Sequence, residues 1–214
     1  MIKGSDDTEP RLSLDVVNLV CSRDDIPLIE NLSFSLNCAQ VLLVEGRNGS
    51  GKTTLLRTLC GIRSQDSGEI LWCGESIDDL GAVYYEQLAY VGHHDGIKRD
   101  LTVLENLALA QALGKPASLS IDEILQRIKL SGYEDIQTHA LSAGQRRRLA
   151  LARLLATDSR LWILDEPFTA LDKDGIVIFE GLIASHTVNG GMVVMTSHHD
   201  VGLHGVELQQ IRLV

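Results

Sequence analysis

The sequence predicts an α/β fold, and three observations carry that prediction. Short apolar runs that read as buried strands, Val41–Val44, Leu161–Leu164 and Met192–Met195, are separated by stretches with helical periodicity. The first run leads into Gly46-Arg47-Asn48-Gly49-Ser50-Gly51-Lys52-Thr53-Thr54, which fits G-x-x-x-x-G-K-[ST], and Leu55–Cys60 continues as a helix. The second run ends in two carboxylates, Asp165 and Glu166, and the ends of parallel strands are where α/β sheets bind ligands.

The remaining elements follow in order. Leu12–Val20 alternates loosely and reads as a strand. Leu28–Leu36 alternates more clearly, with Leu32, Phe34 and Leu36 on one face and Ser33 and Ser35 on the other. Asn37 turns the chain into the strand before the glycine loop. Gly61 suits the C-cap of the helix after that loop, Gln65–Gly68 a turn, and Glu69–Trp72 another short strand. Ala89–Gly92 reads as a buried strand running into a loop, His93–Ile97. Thr102 with Glu105, and Ser120 with Glu123, have the spacing of capping boxes and open two helices. Leu101, Leu104, Leu107, Leu109 and Leu113 are expected to form the core stripe of the first, with an exposed end left for a partner. Ile121, Ile124, Leu125 and Ile128 are expected to form that of the second. Gly114-Lys115-Pro116 separates the two. Leu149, Leu151, Leu154 and Leu155 mark a helix after a glycine turn, and Ile176–His186 another. Val206–Val214 reads as a last strand or pair of strands.

Composition narrows the function. The 214 residues suit one domain, and 44% hydrophobic with 22% charged residues is ordinary for a globular protein. Nineteen Lys and Arg against 29 Asp and Glu leave a net charge of −10, which argues against wrapping nucleic acid. The Arg146-Arg147-Arg148 run is read as a solvated helix face that meets the Ser142 turn. Cys21, Cys38, Cys60 and Cys73 form no CxxC pair, so they are expected to be small apolar side chains in a reducing compartment. Met1–Asp7 is polar and acidic, so no cleaved leader is expected. No apolar run approaches the roughly 18 residues that span a bilayer, so any membrane attachment would come through another chain.

The motifs specify a chemistry. Glycines let backbone N–H groups converge on an anion, and a helix N-terminus adds its dipole there. Lys52 would reach the β- and γ-phosphates of a nucleotide, and the Thr53 hydroxyl would hold Mg²⁺. Asp165 can hold that ion, and Glu166 can take a proton from an attacking water. Leu141-Ser142-Ala143-Gly144-Gln145 opens a helix with small residues and makes a second anion site far along the chain. Two chains could then sandwich two nucleotides head to tail. His93-His94 and His198-His199 have the residue type for metal or haem ligation, but adjacent side chains in extended backbone point apart, so neither pair chelates well.

With these motifs in this order, the sequence resembles the ATP-binding-cassette family over nearly its whole length. Gly46–Thr53 looks like its Walker A loop, Leu141–Gln145 its signature, Leu161–Glu166 its Walker B strand with catalytic glutamate. Ala170-Leu171-Asp172 resembles its D-loop and His198 its switch histidine. The resemblance implies a P-loop NTPase (RecA-like) core with an antiparallel β subdomain and a helical insert. It would form a single domain over 1–214, with a β-rich part about 12–80, the insert about 93–145 and the rest of the core over 146–214. It implies ATP and Mg²⁺ as cofactors, bound by Gly46, Arg47, Asn48, Gly49, Ser50, Gly51, Lys52, Thr53 and Thr54. Thr53 and Asp165 would be the metal ligands, and Glu166 and His198 the catalytic residues. Ser142, Gly144 and Gln145 of a second copy would close the opposite face in an ATP-dependent head-to-tail homodimer.

Three departures stand out. His93 occupies the place of the family's usual glutamine, and imidazole is a poorer Mg²⁺ ligand than an amide oxygen. Ala143 stands where glycine is commoner. The usual adenine-stacking aromatic is missing; Arg23 lies near its place and offers a guanidinium plane. No long C-terminal regulatory domain is expected. Within the family, Gly92–Lys98, Leu101–Leu107, Leu141–Arg148, Leu161–Asp172 and Val20–Asp25 look like the ATP-binding subunits of haem exporters in cytochrome c maturation. That likeness implies a peripheral ATPase on the cytoplasmic face of the inner membrane. It would be bound to integral membrane subunits, span no membrane itself, and support haem delivery to a periplasmic haem chaperone. A cassette for another small substrate, or a soluble ATP-gated clamp, are the alternatives at this point.

Overall fold

The computed structural model describes residues 12–24, 26–198 and 201–214. Met1–Asp7, Asp25 and His199 lie outside the described residues. Two long strands come first, β1 (Ser13–Arg23) and β2 (Ile26–Asn37), paired antiparallel from Ser13↔Asn37 to Arg23↔Ile26. A turn at Cys38-Ala39 leads to β3 (Gln40–Gly46), the glycine loop and α1 (Lys52–Leu59). Next are β4 (Ser67–Trp72) and the two-residue β5 (Glu75–Ser76), which complete an antiparallel sheet of order β2-β1-β4-β5. Two helices of four residues each, α2 (Ile77–Leu80) and α3 (Ala82–Tyr85), follow. Neither was expected, because four residues carry no readable period.

The second sheet collects β6 (Leu88–Val91), β7 (Leu161–Leu164), β8 (Met192–Thr196) and β9 (Glu207–Leu213) around β3, in the order β6-β7-β8-β3-β9, all parallel. The C-terminal stretch is thus one edge strand. Burial on both faces explains why β3, β7 and β8 read as continuous apolar runs. Period two then sorts the side chains. Leu42 and Val44 join Leu55, Leu56 and Leu59 of α1 and the inner face of the antiparallel sheet. Val41 and Leu43 face the opposite way, into a cluster with helices α6 (Ala143–Ala156) and α7 (Lys173–Val188).

Between β6 and β7 lie α4 (Val103–Leu113) and α5 (Ile121–Arg127), both opened by complete capping boxes, from Thr102/Glu105 and Ser120/Glu123. Their core, with Leu149, Ala152 and Ala156 of α6, forms a third cluster. The expected leucine stripe of α4 needs correction. Its buried face is Val103, Asn106, Leu107 and Ala110, while Leu104 and Leu113 are exposed. A period of 3.6 places residues 103, 107 and 110 together and turns 104 away; Leu113 shares the row of Asn106 but is the last residue of the helix. Asn106 is tolerated inside because Lys98 N, Lys98 O and Thr102 O bind its amide. Of the cysteines, Cys21 and Cys60 are buried as expected, whereas Cys38 is exposed in its turn; all four are free thiols.

Candidate active site

The parallel register carries the C-terminal ends of four strands to one edge. Val44 pairs with Thr196, Met195 with Leu164, and Leu164 with Val91. The loop after β3 turns tightly there. A Cβ on Gly46 would stand 2.3 Å from Ser50 Oγ, and Gly51 has φ 93, left-handed backbone that favours glycine. Lys52 opens α1 and is 8% exposed; its Nζ donates to Gly46 O (2.7 Å) and Arg47 O (3.2 Å). The Ser50 hydroxyl is buried with no hydrogen-bond partner among the described residues. A buried ammonium and an unsatisfied hydroxyl beside converging amides are features a bound phosphate would satisfy.

Asp165, 3% exposed, is gripped from two sides. Thr53 Oγ1 donates to its Oδ2 (2.7 Å) and Thr196 Oγ1 to its Oδ1 (2.9 Å). Thr196 Oγ1 also accepts from the Glu166 N–H (2.8 Å). Glu166 itself has φ 50, left-handed and uncommon for a side-chain-bearing residue. Its Oε1 lies 3.3 Å from His198 Nε2, an ion-pair distance without hydrogen-bond alignment. Hard oxygens from Thr53 and Asp165 fit Mg²⁺.

An open cleft of about 590 Å³ unites these groups. Arg47, Asn48, Gly49, Gly51, Lys52, Thr53, Thr54, Asp165, Glu166 and His198 line it, together with His93, Thr169, Arg23 and Leu28. His93 therefore does reach the site, and Arg23 stands at its rim with Leu28. The signature residues do not reach it. Ser142 caps α6, accepting from Gln145 N (3.2 Å), while Gln145 Oε1 accepts from Ser142 N (2.9 Å). Gly144 backs onto the Ala170 carbonyl, where a Cβ would come to 3.2 Å.

Two residues escaped the sequence reading. Thr196 was visible only as the polar end of an apolar strand, and its role depends on β8 lying beside β7. The solvated face expected for the arginine run does not hold for Arg147, which is 3% exposed. It points inward because α6 packs that face against the ends of β6 and β7, where several carbonyls need donors. Arg146 instead donates to Leu141 O, and Arg148 to Asp172. The Arg148 guanidinium, and then the Gly175 N–H, hold the Asp172 carboxyl below its ordinary value.

Comparison with known proteins agrees with this geometry. The ABC transporter family model matches residues 29–169. The chain is similar to the cytochrome c biogenesis ATP-binding export protein CcmA of Photobacterium profundum, 43% identical over 213 residues, covering 94% of this chain and 99% of that one. It is similarly close to CcmA of Vibrio cholerae, 45% identical over 205 residues, covering 94% and 98%. Among solved structures, a putative ABC transporter ATP-binding protein from Pyrococcus furiosus superposes with a TM-score of 0.80 at 23% identity, covering 94% of this chain and 97% of that one. That likeness bears on the fold. The phosphate loop, the gripped Asp165–Glu166 pair and these relatives lead to one conclusion: the chain belongs to the ABC transporter family, as an ATPase of the group of cytochrome c biogenesis ATP-binding export proteins.

Proposed function

We propose that this ATPase powers a haem exporter of cytochrome c maturation, supporting haem delivery to a periplasmic haem chaperone. Lys52 and the loop amides would hold the β- and γ-phosphates. Thr53 and Asp165 would hold Mg²⁺, whose charge offsets that of the phosphates. Glu166 would accept a proton from the attacking water, and His198 would orient that water against the γ-phosphate. The observation that carries this reading is the chain of hydrogen bonds Thr53–Asp165–Thr196–Glu166, which sets both carboxylates at the mouth of the phosphate loop.

The signature turn would act across a dimer. Ser142, Gly144 and Gln145 are absent from their own chain's cleft, so a second copy, arranged head to tail, would supply them. Attachment to the cytoplasmic face of the inner membrane would be peripheral, through integral membrane subunits, since no helix among the described residues is long and apolar enough to cross a membrane. The groove lined by Tyr85, Tyr90, Ala110 and Leu113 offers such subunits an apolar seat, with Leu113 78% exposed in it.

Complementation tests the proposal. In cells lacking their own haem-exporter ATPase subunit, the wild-type chain is expected to restore haem-stained c-type cytochromes, and Glu166→Gln is not. Restoration by both would remove Glu166 from the mechanism. Restoration by neither, with both expressed and binding ATP, would direct the search to native membrane partners recovered by pull-down.

A further inference from the structure

We propose that Arg147 is a positioning residue for ATP hydrolysis, tying the His93 loop, the Asp165–Glu166 end of β7 and the signature helix into one unit. A guanidinium has five N–H donors, and Arg147 makes five hydrogen bonds. Nε donates to Pro167 O (3.1 Å). Nη1 donates to Gly92 O (3.0 Å) and Asp95 Oδ1 (3.2 Å). Nη2 donates to Asp165 O (3.2 Å) and Glu166 O (2.7 Å). The side chain is 3% exposed, so these carbonyls have no ready solvent substitute. Four of the five acceptors are backbone, and they come from two separate loops. The planar fork fixes their relative positions in a way that a single ammonium cannot.

The contacts bracket the groups that do the chemistry. Gly92 and Asp95 flank His93, which lines the nucleotide cleft. Glu166 is held in left-handed backbone on one side by Thr196 at its N–H and on the other by Arg147 at its carbonyl. Arg147 itself sits in the second turn of α6, two residues beyond Gln145, so the helix that presents Ser142 moves with it. A shift of the His93 loop is therefore passed to the Glu166 carboxylate and to the signature turn together. The inference rests on the proposed role of Glu166.

The test uses the purified full chain as wild type, Arg147→Lys, Asp95→Asn, their double variant and Glu166→Gln. For each, kcat, KM, affinity for a fluorescent ATP analogue and thermal unfolding are measured. Arg147→Lys is expected to lower kcat by about 10- to 100-fold, the scale of a small misplacement at a reacting centre, while nucleotide affinity stays near wild type. Asp95→Asn should lower kcat less, and the double variant should match Arg147→Lys, as expected for two groups in one linkage. An Arg147→Lys protein with wild-type kcat overturns the proposal. So does a parallel fall of kcat, affinity and melting temperature, the pattern of a merely structural arginine. Should Arg147→Lys fail to fold, Asp95→Asn decides: unchanged kcat overturns the proposal. Wild-type turnover in Glu166→Gln would instead defeat the reading of Glu166.

Discussion

Thr196 shows how much one hydroxyl does in this site. It donates to Asp165 and accepts from the Glu166 N–H, so it sets both the carboxylate and the strained backbone beside it. Thr196→Val keeps the branched shape and deletes both bonds. The buried N–H left behind should cost about 1–3 kcal/mol of stability. Turnover should fall as well, with Thr196→Ser retaining most of both. Denaturant unfolding and an ATPase assay check this; a Val variant equal to wild type would show that Asp165 and Glu166 hold their places unaided. Lys52 and Thr53 were legible in the sequence because their spacing within one loop determines their direction. Thr196 was not, because its partners lie 30 and 31 residues away on a neighbouring strand.

At the scale of elements, α7 carries a titratable group in its last turn. The His186 ring stacks on Trp162, with centroids 3.9 Å apart and planes 7° from parallel. Gly191 must lack a side chain there, since a Cβ would come within 2.2 Å of the ring. Burial lowers the His186 pKa from 6.5 to about 4. The unfolded chain therefore takes up a proton near pH 6.5 that the folded chain refuses until about pH 4. This linkage removes stability as the pH falls through that window, by about 2 kcal/mol at pH 5. His186→Phe keeps the stack without the titration, so its denaturation midpoint should fall less between pH 7.5 and pH 5. Parallel curves would refute the assignment. The neighbouring elements differ in how readable they were. The capping boxes of α4 and α5 are readable directly because each closes within four residues, whereas the sequence offers Ser142 only as a helix start and the structure adds the reciprocal bond from Gln145. The fate of each arginine at the start of α6 depended on what lay opposite.

The whole molecule places the turn at Ser142, proposed above as a partner's contribution, away from the phosphate-loop cleft of its own chain. Ser142→Arg should therefore leave the single chain's affinity for a fluorescent ATP analogue intact. In a Glu166→Gln background it should abolish ATP-driven dimerisation, as read by size-exclusion chromatography with light scattering. A loss of affinity in the monomer would mean that the signature turn acts within its own chain.

The glycine loop before α1, the acidic end of β7, the small-residue turn at Ser142, the two capping-box helices and the α/β class were all legible in the sequence alone. Each rests on short-range spacing, which the periods of helix and strand convert directly into geometry. Tertiary packing alone set the strand order β6-β7-β8-β3-β9, and with it the contact of Thr53 with Asp165 and the place of Thr196 between Asp165 and Glu166. It also decided that Arg147 is buried while its two neighbours are committed elsewhere, and that Leu104 and Leu113 stay outside. These outcomes depend on which surfaces compete for burial and which backbone groups are left needing donors, and that is settled only when the sheets and helices close on one another.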